Sequence, residues 1–363
     1  MFEILFLIII SAYFIQSFIL SIGAKKEFPK LSEDKLPTAS VIVAARNEEN
    51  NIENCLKSLN DLQFPDDKLE IIIVNDDSTD NTESIIKNFI ADKPRFKLIK
   101  PDKNFGETFG KARAIANAVE IASGEIILTT DADCVVSPTW AKTICSYYQD
   151  NIAMVCGYTN QRADNLFEAV QDIDFIYLLA VAGGAINLGK PLSAIGNNMS
   201  YRKSAYNEVG GYANIQFSVT EDFQLLMAIN KLKDRKIIYP IDPGGLVTSA
   251  PCPDLKTLFR QKRRWAIGGM KSRLDNLLII STGFWAALFT WIGLFLYTPT
   301  VLVLILLRVF ADLFMVYFVY KKLNLKFSLF NFIGFQIYSN IYFVVTAISL
   351  FFSRKVMWKG RKF

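Results

Sequence analysis

Ala39-Ser40-Val41-Ile42-Val43-Ala44-Ala45, closed by Arg46-Asn47-Glu48-Glu49, is a short apolar run that stops on a polar cluster. Seven uncharged residues of this kind predict a strand buried on both faces. The pattern returns twice. Leu69-Glu70-Ile71-Ile72-Ile73-Val74 runs into Asn75-Asp76-Asp77-Ser78, and Gly124-Glu125-Ile126-Ile127-Leu128-Thr129-Thr130 runs into Asp131-Ala132-Asp133. Helical patterns separate the runs, one of them over about residues 110–122, and Asp80 with Glu83 has the spacing of a capping box. Strand, helix, strand, helix, strand predicts a parallel, doubly wound α/β sheet, whose ligands bind beyond the carboxyl ends of the strands. All three polar clusters fall at that edge.

Several chemistries are excluded. The 363 residues include no histidine, which removes Ser-His-Asp hydrolysis, His-ligated zinc and any imidazole base. No Gly-x-Gly-x-x-Gly follows the first run and no phosphate loop ends in Gly-Lys-Ser or Gly-Lys-Thr, so dinucleotide and ATPase readings lose their support. Cys55, Cys134, Cys145, Cys156 and Cys252 are scattered, with no Cys-x-x-Cys pair, and fit a reducing compartment. Acid-base work therefore rests on carboxylates, Lys, Tyr or Cys. Asp131 and Asp133 alternate at a strand end, where two hard oxygen donors suit Mg²⁺ or Mn²⁺ completed by water and substrate phosphates. Asp-x-Asp also recurs in solvated turns; its place after a buried run, beside two other acidic turns, gives it weight.

The chain is 51% hydrophobic yet 21% charged, so two environments are expected. Residues 4–22 are long and apolar enough to span hydrocarbon and precede Lys25 and Lys26. A signal peptide is the rival reading, but the segment lacks a basic start and a small-residue cleavage site, which favours an anchor over residues 1–24. Residues 277–320 read as a helical hairpin broken at Tyr297-Thr298-Pro299 and closed by Lys321 and Lys322, and 327–352 adds a third segment. Two or three C-terminal helices within 277–353, then a basic tail over 354–363, are expected. Between anchor and helices lies one catalytic domain, residues 28–273, which Lys25, Lys26, Lys271 and Arg273 place on the cytoplasmic side of a plasma or inner membrane. Three further spans would put Arg354, Lys355, Lys359, Arg361 and Lys362 outside, against the same rule. One segment then lies re-entrant or in the interface, as does the mixed basic and apolar stretch 258–274, and the span count stays open. Arg308 and Asp312, four apart, read as a helical ion pair, with a lipid or substrate contact as the sharper alternative. The net charge of +5 fits a membrane surface, and no nucleic-acid motif is present.

Val41-Ile42-Val43-Ala44-Ala45-Arg46-Asn47-Glu48, Ile73-Val74-Asn75-Asp76-Asp77-Ser78-Thr79-Asp80-Asn81-Thr82 and Gly110-Lys111-Ala112-Arg113-Ala114-Ile115-Ala116-Asn117 resemble successive signatures of family 2 glycosyltransferases with the GT-A fold. The series continues through Asp131-Ala132-Asp133, Gly196-Asn197-Asn198-Met199, Thr220-Glu221-Asp222 and Gln261-Lys262-Arg263-Arg264-Trp265, spanning about residues 38–265 in the family's order. The resemblance implies an inverting transfer from a nucleotide sugar, usually a UDP-sugar. It implies that Ala44, Glu48 and Asp76 hold the nucleobase and ribose, that Lys111 lies near the nucleotide, and that Asp131 touches the donor. Asp133, with Asp131, would hold Mg²⁺ or Mn²⁺ on the diphosphate, and Asp222 would be the general base. Glu221, Asn198 and Trp265 fall on the acceptor side, and Gln261 and Arg264 on the donor. One departure stands out: the family often has Gly where this chain has Asp77.

The residues themselves carry blander readings. Thr220-Glu221-Asp222 is also a good helix start. Gln261-x-x-Arg264-Trp265 also fits an amphipathic interfacial helix, with Lys262 and Arg263 as surface or headgroup charges. Tyr201, Arg202, Gly210 and Gly211 resemble the family's acceptor segment and equally suit packing. The expected acceptor is a growing polysaccharide or a lipid-linked sugar at the membrane, with polysaccharide-export partners in the first case and a single transfer to lipid in the second. A decayed scaffold would have lost its acids, and a nucleotidyltransferase would have no use for the Gln-x-x-Arg-Trp motif or for spans.

Overall fold

The computed structural model describes residues 1–216, 218, 220–269, 274–352, 357–358 and 361–362, with 274–276 and everything beyond 350 by backbone alone. Lys271, Arg273, Arg354, Lys355 and Lys359 thus lie outside the described residues, as do the side chains of Arg361 and Lys362. The chain divides into two compact units, one of Lys26–Asn160 with Ser193–Ala250, the other of Met1–Lys25, Gln161–Leu192 and Pro251–Phe363.

In chain order, helix α1 (Phe2–Ala24) precedes strand β1 (Ala39–Ala45), α2 (Ile52–Asn60), β2 (Leu69–Asn75), α3 (Thr82–Ile90), β3 (Phe96–Ile99) and α4 (Lys111–Ile121). Then come β4 (Ile126–Asp131), β5 (Cys134–Val136), α5 (Trp140–Ser146), β6 (Ile152–Cys156), β7 (Thr159–Gln161) and α6 (Leu166–Asn187). β8 (Met199–Arg202), α7 (Lys203–Glu208), α8 (Glu221–Ile229), β9 (Lys236–Ile238) and β10 (Val247–Ser249) follow, and α9 (Leu255–Gly269), α10 (Leu274–Leu296), α11 (Pro299–Lys322) and α12 (Leu329–Phe352) end the helical series.

The first unit holds a seven-stranded sheet in the order β3-β2-β1-β4-β8-β6-β9. β2, β1 and β4 run parallel, as the sequence implies, and β3, not foreseen, adds to β2 in the same direction. β8 is antiparallel to both its neighbours, so the sheet is mixed rather than wholly parallel. The chain leaves the sheet after β6, makes β7 and α6, and re-enters between β4 and β6 at the same edge, with Met199 opposite Cys156. β1 and β2 are buried almost throughout, and α2 covers them with Ile52, Cys55, Leu56 and Leu59 at helical spacing. Strands proceed from β1 outward to β3, then reverse to β4 on β1's other side. That reversal is the switch point at which a doubly wound sheet opens its crevice.

The second unit is helical. α6 packs against α1, α11 and α12. The α1 and α6 backbones meet at glycines: a Cβ on Gly23 would lie 2.2 Å from Gly184 O, and one on Gly184 2.2 Å from Leu20 O. α1, α6, residues 277–296 of α10, α11 and residues 329–350 of α12 are long and apolar enough to cross a membrane. α6 was not foreseen, because Glu168, Gln171, Asp172 and Asp174 dilute its apolar run. It does not cross. β6 before it and β8 after it are neighbours in one sheet, paired at Met154 and Tyr201, and a single crossing would put them on opposite sides.

The hairpin break falls as expected, with Thr298 Oγ1 accepting from Val301 N–H ahead of Pro299. Arg308 and Asp312 are both bonded by side chains of other helices. Arg308 donates to Thr290 Oγ1 (3.1 Å) and to Asn340, while Asp312 accepts from Tyr13 and from Gln336 Nε2 (3.0 Å).

Candidate active site

Register brings the three polar clusters together. Ala44 of β1 lies opposite Asp131 of β4, and Ala45 opposite Asn75 of β2. The turns after β1 and β2 are laced to each other. Asn47 Oδ1 accepts from Thr79 N–H (2.8 Å), Glu48 N–H donates to Thr82 Oγ1 (2.8 Å), and Glu49 N–H donates to Asp80 Oδ2 (3.1 Å). Asp76 is buried, its N–H donating to Ala45 O (2.8 Å), with Arg46 Nη1 donating to its carbonyl (3.1 Å). Asn47 and Asp77 take φ of 52° and 53°, left-handed values that Asn and Asp tolerate better than most residues. Asp77 thus adopts a left-handed conformation of the kind that favours glycine. Ala44 and Glu48 are part-exposed beside it.

The capping box does not form. Asp80 Oδ1 accepts from Thr82 N–H (3.0 Å), but Glu83 Oε2 turns to Asn75 Nδ2 (2.8 Å) and Lys100, and its Oε1 to Lys87, so it does not close the helix start. Thr220 likewise makes no side-chain cap for α8.

Lys111, the first residue of α4, joins the motifs. Its Nζ lies 2.5 Å from Asp131 Oδ1 and 3.7 Å from Glu221 Oε1. Asp222 is held beside them, its Oδ2 accepting from Gly196 N–H (2.8 Å) and its Oδ1 from Phe223 N–H (2.8 Å). Burial disfavours the Lys111 ammonium, but the carboxylates of Asp131, Glu221 and Asp222 outweigh it and hold its pKa above the usual lysine value. Asp131 and Asp133 are both part-exposed around buried Ala132. Cys134 Sγ donates to Asp133 Oδ1 (3.4 Å) and Cys55 Sγ to Asp131 O (3.6 Å). Burial first, then the charges of Asp133 and Asp131, push both thiols up, so they stay protonated and the donors at this edge are oxygens. Oxygen donors fit Mg²⁺ or Mn²⁺ rather than a thiophilic metal. Among the described residues no three His, Cys, Asp or Glu side chains gather to cage a metal unaided, so water and phosphate would supply the other ligands.

A model of glycosyl transferase family 2 matches residues 40–210, and one of glycosyl transferase family group 2 matches residues 126–352, more than half of the chain. The chain is a family 2 glycosyltransferase. It is 26% identical over 262 residues to the beta-monoglucosyldiacylglycerol synthase of a Nostoc species, covering 69% of this chain and 53% of that one. It is 27% identical over 248 residues to the poly-beta-1,6-N-acetyl-D-glucosamine synthase of Staphylococcus epidermidis, covering 66% and 56%. The chain thus spans little more than half the length of these curated relatives. Among solved structures, the mannosyltransferase PcManGT from Pyrobaculum calidifontis, in complex with GDP-Man and Mn²⁺, aligns over 96% of this chain and 98% of its own with a TM-score of 0.63. At 17% identity that likeness shows the fold, GT-A.

Asn198, Lys262 and Trp265 of this glycosyltransferase each have close partners within the chain. Asn198 is buried, with Oδ1 accepting from Trp140 Nε1 (2.9 Å) and Nδ2 donating to Tyr158 O (2.7 Å) and Gly245 O (3.0 Å). Both its donor hydrogens are spent on backbone carbonyls, so it braces the 196–198 turn. Lys262, read as a surface charge, is 2% exposed. It pairs with Asp174 of α6 and lies 4.6 Å from the Trp265 ring centroid and 5.3 Å from that of Tyr342. Trp265 stacks on Phe175, with centroids 5.7 Å apart and planes at 16°. Only burial of both α6 and α9 reveals this pairing. Gln261 and Arg264 lie part-buried one turn apart on α9.

Proposed function

We propose that this glycosyltransferase moves a sugar from a nucleotide-diphosphate donor to a hydroxyl of a lipid or lipid-linked glycan at a membrane, inverting the anomeric carbon. The observation that carries this reading is the strand register that sets Asp131 beside Ala44, with Lys111 joining Asp131 to Glu221. In this reading Ala44, Glu48 and Asp76 take the nucleoside, Lys111 the diphosphate, and Asp131 and Asp133 a divalent cation. When bound, that cation, Mg²⁺ or Mn²⁺, would offset the charge growing on the leaving diphosphate.

Asp222 accepts the proton of the acceptor hydroxyl as the oxygen attacks, opposite the departing nucleotide. The Gly196 N–H on Oδ2 orients the carboxylate and leaves lone pairs for the acceptor. A carboxylate is a weak base toward a sugar hydroxyl, so orientation supplies much of the rate. On α9, Arg264 with Gln261 offers a planar clamp for phosphate and Trp265 a stacking surface for a sugar ring.

A lipid acceptor is supported by the name of the Nostoc relative and by helices of spanning length and composition. The test is a panel of UDP- and GDP-sugars given to membranes containing the chain with Mn²⁺ or Mg²⁺, scoring nucleotide release and lipid-extractable product. Product that stays polymeric and resists lipid extraction would move the acceptor to a growing polysaccharide. No turnover with any donor would sink the reading.

A further inference from the structure

We propose that one face of α9 is a docking surface for anionic lipid, so that membrane charge controls the helix that carries Gln261, Arg264 and Trp265. The docking goes beyond the function proposed above, and the control of turnover rests on it. α9 has two opposed faces. Leu258, Lys262 and Trp265, spaced by four and three, turn inward: Leu258 and Lys262 are buried, Lys262 pairs with Asp174, and Trp265 stacks on Phe175. The other face is bare. Leu255 and Phe259, one turn apart, are 68% and 37% exposed, and Lys256 and Arg260, again one turn apart, are exposed beside them. An apolar strip flanked by a basic strip suits a helix lying in the plane of the headgroups, with its apolar side chains among acyl chains and its bases among phosphates. Burial therefore moves the headgroup contact from Lys262, which is spent on Asp174, to Lys256 and Arg260.

Charge and connection both favour an anionic leaflet as the occupant. No Asp or Glu occurs from Leu255 to Gly269. The carboxylate just before them, Asp254, accepts from Thr257 N–H (2.7 Å) and Thr257 Oγ1 (3.1 Å) and so caps the helix start. α9 ends at Gly269 and α10 begins at Leu274, and residues 277–296 of α10 are apolar enough to cross a membrane, so α9 is tethered close to a membrane surface. A zwitterionic surface would take Leu255 and Phe259 but offer the bases no net charge. An anionic one favours contact by about fivefold for each basic residue near it. Because Gln261, Arg264 and Trp265 ride on the same helix, whatever holds the outer face also holds them.

The test places the full chain in nanodiscs of phosphatidylcholine, alone or mixed with phosphatidylserine, an anionic lipid with no free hydroxyl to accept a sugar. Photoactivatable analogues of both lipids are crosslinked in the absence of donor, and the labelled peptides are mapped by mass spectrometry. Residues 255–260 are expected to take the serine lipid over the choline lipid by about fivefold or more. Leu302 and Leu306, exposed on α11, should take both alike. Lys256→Gln with Arg260→Gln should erase the preference, and Lys256→Arg with Arg260→Lys should keep it; these side chains lie off the packed face. Equal labelling of α9 by the two lipids, or a preference that survives in the neutral variant, overturns the docking. In the same nanodiscs phosphatidylserine should raise turnover of the unaltered chain by about fivefold and leave the neutral variant at the rate it has in phosphatidylcholine. Turnover indifferent to lipid charge overturns the control of α9. No turnover with any donor, with α9 still labelled by the serine lipid, sinks the proposed function and not the docking.

Discussion

The two units handle charge in opposite ways. At the carboxyl edge of the sheet one ammonium, Lys111, faces Asp131, Glu221 and Asp222, and the acids outnumber it. In the helical unit Lys262 and Asp174 pair one to one at 2% and 1% exposure, and Arg308 and Asp312 are each held by polar side chains of other helices. Matched charges in a dry interior fix a packing, because an unpaired partner there would be costly. Surplus acid at a part-exposed edge has the opposite character, since a cation or a cation-bound phosphate lowers its free energy. On this contrast the proposed base and metal ligands lie where acid is in surplus, and the buried pairs of the helical unit hold its packing.

The contrast breaks first, and by most, at Asp222. Asp222→Asn keeps an oxygen for the Gly196 N–H but cannot take a proton, so turnover should fall by about a hundred- to ten-thousandfold while donor binding survives. Nucleotide release and equilibrium donor binding, measured side by side, separate the two; full activity would remove the base from Asp222. In the helical unit the large effect should be on stability. Lys262→Met strands a buried carboxylate and should cost about 3–5 kcal/mol, whereas Lys262→Met with Asp174→Leu should recover most of it. Denaturant melts of the single and double variants decide this, and a double variant as unstable as the single would mean the pair is not the reason.

Metal removal sharpens the sheet side. EDTA should abolish turnover and added Mn²⁺ restore it, with Asp133→Asn needing more Mn²⁺ for half recovery; metal-independent turnover would take Asp133 out of the site. The smallest effect concerns Glu70, a matched charge within the sheet unit. Burial raises its carboxyl, but bonds from Lys97, Ser40 and Ser123 outweigh that and bring it down to about 2. Its folded pKa is depressed, so its stabilisation is complete above the ordinary carboxylate value near 4.3 and fades as pH falls toward 2. Glu70→Gln should be the less stable protein at pH 7 and should lose less stability between pH 5 and pH 2. Parallel acid-denaturation curves would refute the assignment.

Much of this was legible in the residues. The apolar runs ending in Arg46-Asn47-Glu48-Glu49, Asn75-Asp76-Asp77-Ser78 and Asp131-Ala132-Asp133 mark three parallel strands and their ligand edge, because a buried run and a polar stop need no partner to be recognised. Tyr297-Thr298-Pro299 marks the hairpin for the same reason. β3 was missed because Phe96-Lys97-Leu98-Ile99 is short and lies at the sheet's edge. α6 was missed because its acids are paired by other elements: Asp174 by Lys262, and Asp172 by Tyr320 and the N–H of Gln161. Asn198 looked available for the same kind of reason. Its three partners, Trp140, Tyr158 and Gly245, lie about 40 to 60 residues away in the chain.

By itself, then, the sequence determined the three central strands, the hairpin break and which chemistries are excluded, since hydrophobic period and the absence of histidine are local facts. Tertiary structure alone decided that Ala44 faces Asp131, that Lys111 stands among three acids, and that Lys262 is buried on Asp174. Register and burial belong to pairs of segments, and a slip of one residue in β4 would turn its side chains to the other face. No single segment carries that information.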